Sequence, residues 1–126
     1  MDCLFFIHFK NFMKINHSTG QYGEDMACHF LQQEGFTIIT RNWHCPFGEL
    51  DIVAQSKKLL LFVEVKYRKK SSFGGVIYSI TPAKLRKMRK SIECYLQQNP
   101  HRGDIRADAI LIEDNQPLQH IKNIME

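Results

Sequence analysis

Gly48-Glu49-Leu50-Asp51-Ile52-Val53-Ala54, a polar break at Gln55-Ser56-Lys57-Lys58, and then Leu59-Leu60-Leu61-Phe62-Val63-Glu64-Val65-Lys66-Tyr67-Arg68 form the stretch that decides the fold. The first run alternates and the second is apolar and β-branched, so both read as strands, at about 49–55 and 59–68. A hairpin turning at Lys57-Lys58 sets Asp51 directly across from Glu64. Opposed residues share a sheet face, as do residues two apart on one strand. Glu49, Asp51, Glu64 and Lys66 are therefore expected on one side. Three carboxylates and an amine crowded on one face are costly as a structural device and make sense around a divalent cation. The alternative is the solvent-facing side of an amphipathic hairpin with a cross-strand ion pair. Pattern and register leave both open.

Upstream, Tyr22, Met26, Ala27, Phe30 and Leu31 recur at helical spacing, with Ser18 or Thr19 as N-cap and Gly35 placed to close the helix in a left-handed conformation. Phe36 to Arg41 is rich in β-branched residues and reads as a strand, and Trp43 to Gly48 as a turn containing Pro46. Trp43 is expected in the core. Downstream, residues 69–80, with Ser71, Ser72, Gly74 and Gly75, read as a loop carrying Phe73 and Tyr78. Thr81-Pro82 opens a helix whose apolar face is Leu85, Met88, Ile92, Tyr95 and Leu96, and Asn99-Pro100 stops it after Gln98. Ile105 to Glu113 reads as a strand with Asp108 inside it, and Leu118 to Ile124 as a last strand. The order α-β-β-β-α-β-β is that of a mixed α/β domain.

At 126 residues the chain is long enough for one domain with a single core. Apolar content of 44% and charged content of 24% are those of an ordinary soluble globular protein. The net charge of +4 is concentrated in Lys57 to Lys70 and Lys84 to Lys90, which favours phosphate-bearing partners. The four cysteines, Cys3, Cys28, Cys45 and Cys94, form no C-x-x-C pair, which argues against a zinc ribbon or disulfide framework and fits a reducing cytoplasm. The apolar run Leu4 to Phe9 is too short to span a bilayer and lacks the flanks of a signal peptide. It reads as an extra strand, a flexible arm, or residues ahead of a translation start at Met13. A cytoplasmic protein without membrane association is expected.

Carboxylates holding Mg²⁺ or Mn²⁺ can activate water for phosphodiester hydrolysis, and a lysine beside them can orient that water or offset charge on the phosphate. Glu24, flanking the apolar stripe of the first helix, could add a ligand or be an ordinary first-turn acid favoured by the helix dipole. Lys84, Arg86, Lys87, Arg89 and Lys90 crowd seven residues of the second helix, either as a phosphate-binding stripe or as a solvated face.

Gly23-Glu24, Gly35-Phe36, Arg41-Asn42, Gly48-Glu49-Leu50-Asp51 and Phe62-Val63-Glu64-Val65-Lys66-Tyr67-Arg68, with Arg106-x-Asp108, together resemble the YraN-like family of endonuclease-like proteins. That family is similar to archaeal Holliday-junction resolvases and belongs to the PD-(D/E)XK superfamily, whose "PD" stands here as Leu50-Asp51. The resemblance implies a restriction-endonuclease-like three-layer α/β domain, a central mixed β-sheet flanked by helices, over residues 17–126, with 1–16 as an extension outside it. It implies Asp51, Glu64 and Lys66 as catalytic residues and Glu24 as the helix-borne acid. Glu24, Asp51 and Glu64 are then the expected metal ligands, with Glu49 an additional acid. Arg68, Lys69, Lys70, Lys84, Lys87 and Lys90 are expected to contact nucleic acid, with DNA as the partner. The expected activity is metal-dependent cleavage of structured or damaged nucleic acid, with binding without turnover as the alternative. Junction cutters often act on two strands as dimers, so the resemblance also implies a homodimer.

Overall fold

The hairpin forms in the expected register. Ser56 pairs with Leu59 and the ladder runs antiparallel to Ile52 opposite Val63, so its continuation faces Asp51 with Glu64. The computed structural model describes residues 19–69 and 80–125, so the amino-terminal extension, Lys70, Phe73 and Tyr78 lie outside the described residues. Helix α1 (Thr19–Gln33) is followed by β1 (Thr37–Cys45), β2 (Gly48–Ser56), β3 (Leu59–Arg68), α2 (Pro82–Gln98), β4 (Ile105–Glu113) and β5 (Gln119–Ile121). The sheet order is β1-β2-β3-β4-β5, antiparallel except for the parallel pair β3–β4. A parallel pair needs a crossover connection, and α2 lies within it.

Each helix covers one face of the sheet. Met26, Ala27, Phe30 and Leu31 of α1 pack on Ile52, Ala54, Leu61, Val63, Ile110 and Ile112. Met88, Ile92 and Tyr95 of α2 pack on Val53, Leu60, Phe62 and Ala107. Trp43 and Phe62 meet Tyr95 edge-on at centroid distances of 5.2 and 5.5 Å, which puts Trp43 in the core as expected. Burying a side chain such as Phe62 contributes about 1.5–3 kcal/mol. The result is the expected three-layer α/β domain.

Both helix ends follow the sequence signals. Gly35 takes φ +98°, and the Phe36 amide donates to Leu31 O at 2.9 Å, closing α1 in a left-handed cap. Thr81 Oγ1 accepts from the Lys84 amide ahead of Pro82. Two strands differ from expectation. Strand β1 does not stop at Arg41 but runs to Cys45, leaving a turn of only Pro46 and Phe47 before Gly48. Trp43 pairs with Leu50 and packs on Tyr95, so tertiary burial carries the strand through residues that read locally as a break. Strand β5 is three residues long, shorter than expected. Asn123 turns to φ 63°, and the Asn123 and Ile124 amides bond to Asp108 Oδ1 and Ala107 O instead of extending a ladder.

Asp108 anchors that carboxyl-terminal segment. It is fully buried, takes two hydrogen bonds of 2.9 Å from Arg106, one of 2.9 Å from the Asn123 amide, and lies 2.7 Å from His120 Nε2. Burial pushes its carboxyl upward, but His120, Arg106 and the Asn123 amide outweigh it and hold the group below its usual range. Removing one member of a buried ionic set leaves the others unpaired. Asp108→Ala is therefore expected to lower stability by about 3–5 kcal/mol in urea unfolding. In the wild-type chain, the Asp108 contribution is present above the unfolded carboxyl range and lost as pH falls through the depressed folded value.

Candidate active site

An open groove of about 460 Å³ crosses the end of the sheet, lined from the hairpin by Glu49, Asp51, Glu64 and Lys66, from α1 by Glu24, and from α2 by Lys84 and Lys87. The geometry begins at Asn42, which adopts φ 51° in the middle of β1. Arg41, on one side of it, reaches Asp25 of α1 at 2.6 Å, whereas Trp43, on the other, packs on α2. The partners of these residues split likewise, Ile52 lying in the α1 core and Leu50 in the α2 core. The alternation of both strands therefore slips at the level of Asn42 and Asp51. Glu49 and Asp51 do not simply share a face with Glu64 and Lys66 by strand alternation, as the sequence suggested. Asp51 sits at the slip, and its Oδ2 accepts the Val65 amide of β3 at 2.9 Å. The carboxylate takes the place of a backbone acceptor where the β2–β3 ladder ends.

Glu64 and Lys66 project toward α2, opposite Val63 and Val65, and Lys66 Nζ lies 3.4 Å from Glu64 Oε1. Burial, then the Glu64 charge, and further Glu24 and Glu49, push the Asp51 carboxyl up to about 7 against the Val65 hydrogen bond. Burial works against the Lys66 charge, yet contact with Lys84 and the Glu64 and Asp51 carboxylates raise it. Lys84 is lowered, by Lys66 first and then by burial and the Arg68 charge.

Glu24 reaches the groove because α1 approaches β3 closely: a Cβ at Gly23 would stand 2.8 Å from Tyr67 Cβ. Its Oε1 accepts from Asn42 Nδ2 at 2.9 Å and faces Arg41 at 3.5 Å. The expected ligand set of Glu24, Asp51 and Glu64 is accordingly not gathered as one: among the described residues no three His, Cys, Asp or Glu side chains form a metal-ligand group. Asn42 and Arg41 hold Glu24 aside. The two remaining acids still suit a hard cation, since Mg²⁺ takes one or two carboxylates and keeps several waters. The repulsion that raises Asp51 is the kind a cation relieves. Glu49 lines the groove while facing His44 Nδ1 at 3.3 Å.

The basic helix is not one stripe. Lys84 and Lys87 face the groove, Lys90 lies over the Phe47 ring at 5.8 Å, and Arg89 donates to Met125 O. Lys69 is exposed just beyond β3. Asn42 and the Val65 amide were not foreseen as site groups. The signals for Asn42 were its place in the Arg41-Asn42 pair of the family resemblance and its position just past the strand read from Phe36 to Arg41, where asparagine tolerates positive φ.

Asp51 is expected to titrate near 7 by carbon-13 NMR of the metal-free protein. Its folded value lies above its unfolded one, so its contribution is favourable at low pH and is lost as pH rises through the folded value. Asp51→Asn should thus raise metal-free stability at about pH 8 by about 1–3 kcal/mol and change it little at about pH 4. An equal effect at both pH values would show that the carboxylate is not held at a cost.

The model of "Uncharacterised protein family UPF0102" matches residues 23–112, which contain every acid of the groove. A UPF0102 protein of Neisseria meningitidis serogroup C is 52% identical over 113 residues, covering 89% of this chain and 98% of the relative. One from Mycolicibacterium vanbaalenii is 36% identical over 110 residues, covering 83% and 91%. Among solved structures, Archaeoglobus fulgidus Hjc, a Holliday junction resolvase from an archaeal hyperthermophile, superposes with a TM-score of 0.53 over 79% of this chain and 72% of that one, at 19% identity. The shared fold is the restriction-endonuclease-like one, and the chain belongs to the UPF0102 family.

Proposed function

We propose that this protein is a metal-dependent endonuclease acting on structured or damaged DNA. The observation that carries the proposal is the meeting of Asp51, Glu64 and Lys66 in one groove walled by Lys84 and Lys87. Asp51 and Glu64 would hold Mg²⁺ or Mn²⁺, with Glu24 joining if it turns from Asn42. Bound there, the cation would lower the pKa of a coordinated water and offset charge on the phosphate.

The chain's own groups have separable tasks. The Val65 amide fixes one Asp51 oxygen and leaves the other for the groove. Lys66, beside Glu64, orients the attacking water or meets the negative charge that grows on the phosphoryl oxygens. Lys84 and Lys87 hold the flanking phosphates on the α2 side. The fold shared with a protein described as a Holliday junction resolvase makes a branched duplex the first substrate to try. Arg68 and Lys69, at the end of β3, lie where the strand leaves the groove and are candidates for further phosphate contacts.

Branched, linear and single-stranded DNA incubated with Mg²⁺ or Mn²⁺ provides the test. Wild type is expected to cut the branched substrate, and Lys66→Ala to lose about 10²–10³-fold in single-turnover rate with little loss of affinity. No cleavage of any substrate with either metal, alongside intact DNA binding, would replace the nuclease with a binding module.

Binding is tested separately. Neutralising Lys84 and Lys87 together should flatten the salt dependence of DNA affinity by about 0.9 log units per lost phosphate contact. Neutralising Lys90, which lies on Phe47, should change the slope little. An unchanged slope in the double variant would move the DNA surface off the groove.

A further inference from the structure

Ser91, on the α2 wall of the groove, accepts a hydrogen bond from Cys45 Sγ at 3.5 Å. One helical turn beyond Ser91 on the same helix is Cys94, so the Cys45 thiol that reaches Ser91 also neighbours the Cys94 thiol. Cys45 ends β1 at the Pro46-Phe47 turn, and both thiols are half-buried, whereas Cys28 is buried in the α1 core. Two partly accessible thiols from sequence-distant elements are thus neighbours beside the groove. We propose that Cys45 and Cys94 form a reversible disulfide that ties the β1–β2 turn to α2.

The surroundings differentiate the two sulfurs. Burial raises the Cys45 thiol, but Ser91, the Phe47 and Gly48 amides and Cys94 outweigh it and bring the group below its ordinary value. Burial and Cys45 itself raise Cys94. Thiolates are the reactive form, so Cys45 is the attacking sulfur and Cys94 the resolving one. With hydrogen peroxide as oxidant, the Cys45 thiolate attacks one peroxide oxygen and displaces hydroxide, giving a sulfenic acid; with the thiol proton this releases one water. The Cys94 sulfur then attacks the Cys45 sulfur, forming the S–S bond and releasing a second water. Two electrons pass from the thiol pair to the peroxide, and a dithiol returns them. Bringing the two neighbouring thiols to a bond of about 2.05 Å draws on the exposed turn rather than the packed sheet. It also ends the Cys45–Ser91 hydrogen bond, leaving the Ser91 hydroxyl to the groove.

The test uses the full chain treated with hydrogen peroxide, alkylated, digested and analysed by mass spectrometry. The expected product is an intact mass lower by two hydrogens and a Cys45–Cys94 cross-linked peptide, both reversed by dithiothreitol. Cys94→Ser should stop at a Cys45 sulfenic acid that dimedone traps, and Cys45→Ser should leave Cys94 as the free thiol. Recovery of both thiols from wild type, cross-links that instead join Cys3 or Cys28, or irreversible oxidation of Cys45 would overturn the proposal. The wild-type result stands without the variants and does not depend on any nuclease activity.

Discussion

The hydrogen bond from the Val65 amide to Asp51 Oδ2 is the constraint on which the site depends. A sheet that kept its ladder to the end would pair that amide with a backbone carbonyl and leave the carboxylate free to swing. Here the alternation of β1 and β2 reverses sides at Asn42 and Asp51 while their pairing register holds, and the Asp51 side chain accepts that amide. The left-handed residue costs about 1–2 kcal/mol. Its own side chain contributes in return, since Asn42 Nδ2 fixes Glu24. One local distortion therefore orients two acids from two layers of the molecule.

The molecule handles its two inner sheet carboxylates in opposite ways. Asp108 receives donors from Arg106, Asn123 and His120, and its carboxyl is held down. Asp51 receives one amide, faces other carboxylates, and its carboxyl is held up. The first is a completed network that fastens β4 to the carboxyl-terminal segment. The second is deliberately incomplete in the sense that its charge is answered by neighbours only in part. Under the function proposed above, these opposed environments separate a structural carboxylate from a working one.

Most of the architecture was legible because it is written in local chemistry. The Lys57-Lys58 turn, the Thr81-Pro82 start, the Asn99-Pro100 stop and the Gly35 cap each have a short-range cause, and each lies where the residues put it. The register of the hairpin followed from its turn, and with it the meeting of Asp51 and Glu64. What was not legible depends on contacts distant in sequence. Trp43 continues β1 because Tyr95 of α2 covers it, and β5 stops early because Asp108 takes the Asn123 amide. The strand slip escaped a reading based on strict alternation, since nothing in Arg41-Asn42-Trp43 says that neighbours two apart will serve opposite cores. The five basic residues of α2 looked like one surface because proximity in sequence was read as proximity on a face; 84 and 87 share one, while 89 and 90 lie elsewhere.

The parallel pairing of β3 with β4 has a consequence for the order in which the chain assembles. A hairpin such as β2–β3 closes a short loop and can form in about 1–10 μs, whereas a parallel partner must wait for its crossover. The acids Glu49, Asp51 and Glu64 all ride on that hairpin together with Lys66, while Lys84 and Lys87 arrive with the crossover helix. A chain that emerges amino-end first thus gathers its negative charges before synthesis has reached the cations that face them. Mutual repulsion then opposes early collapse at this end of the sheet, and docking of α2 both covers Phe62 and brings Lys84 to the Glu64 charge. Assembly of the layer and neutralisation of the groove become a single late event.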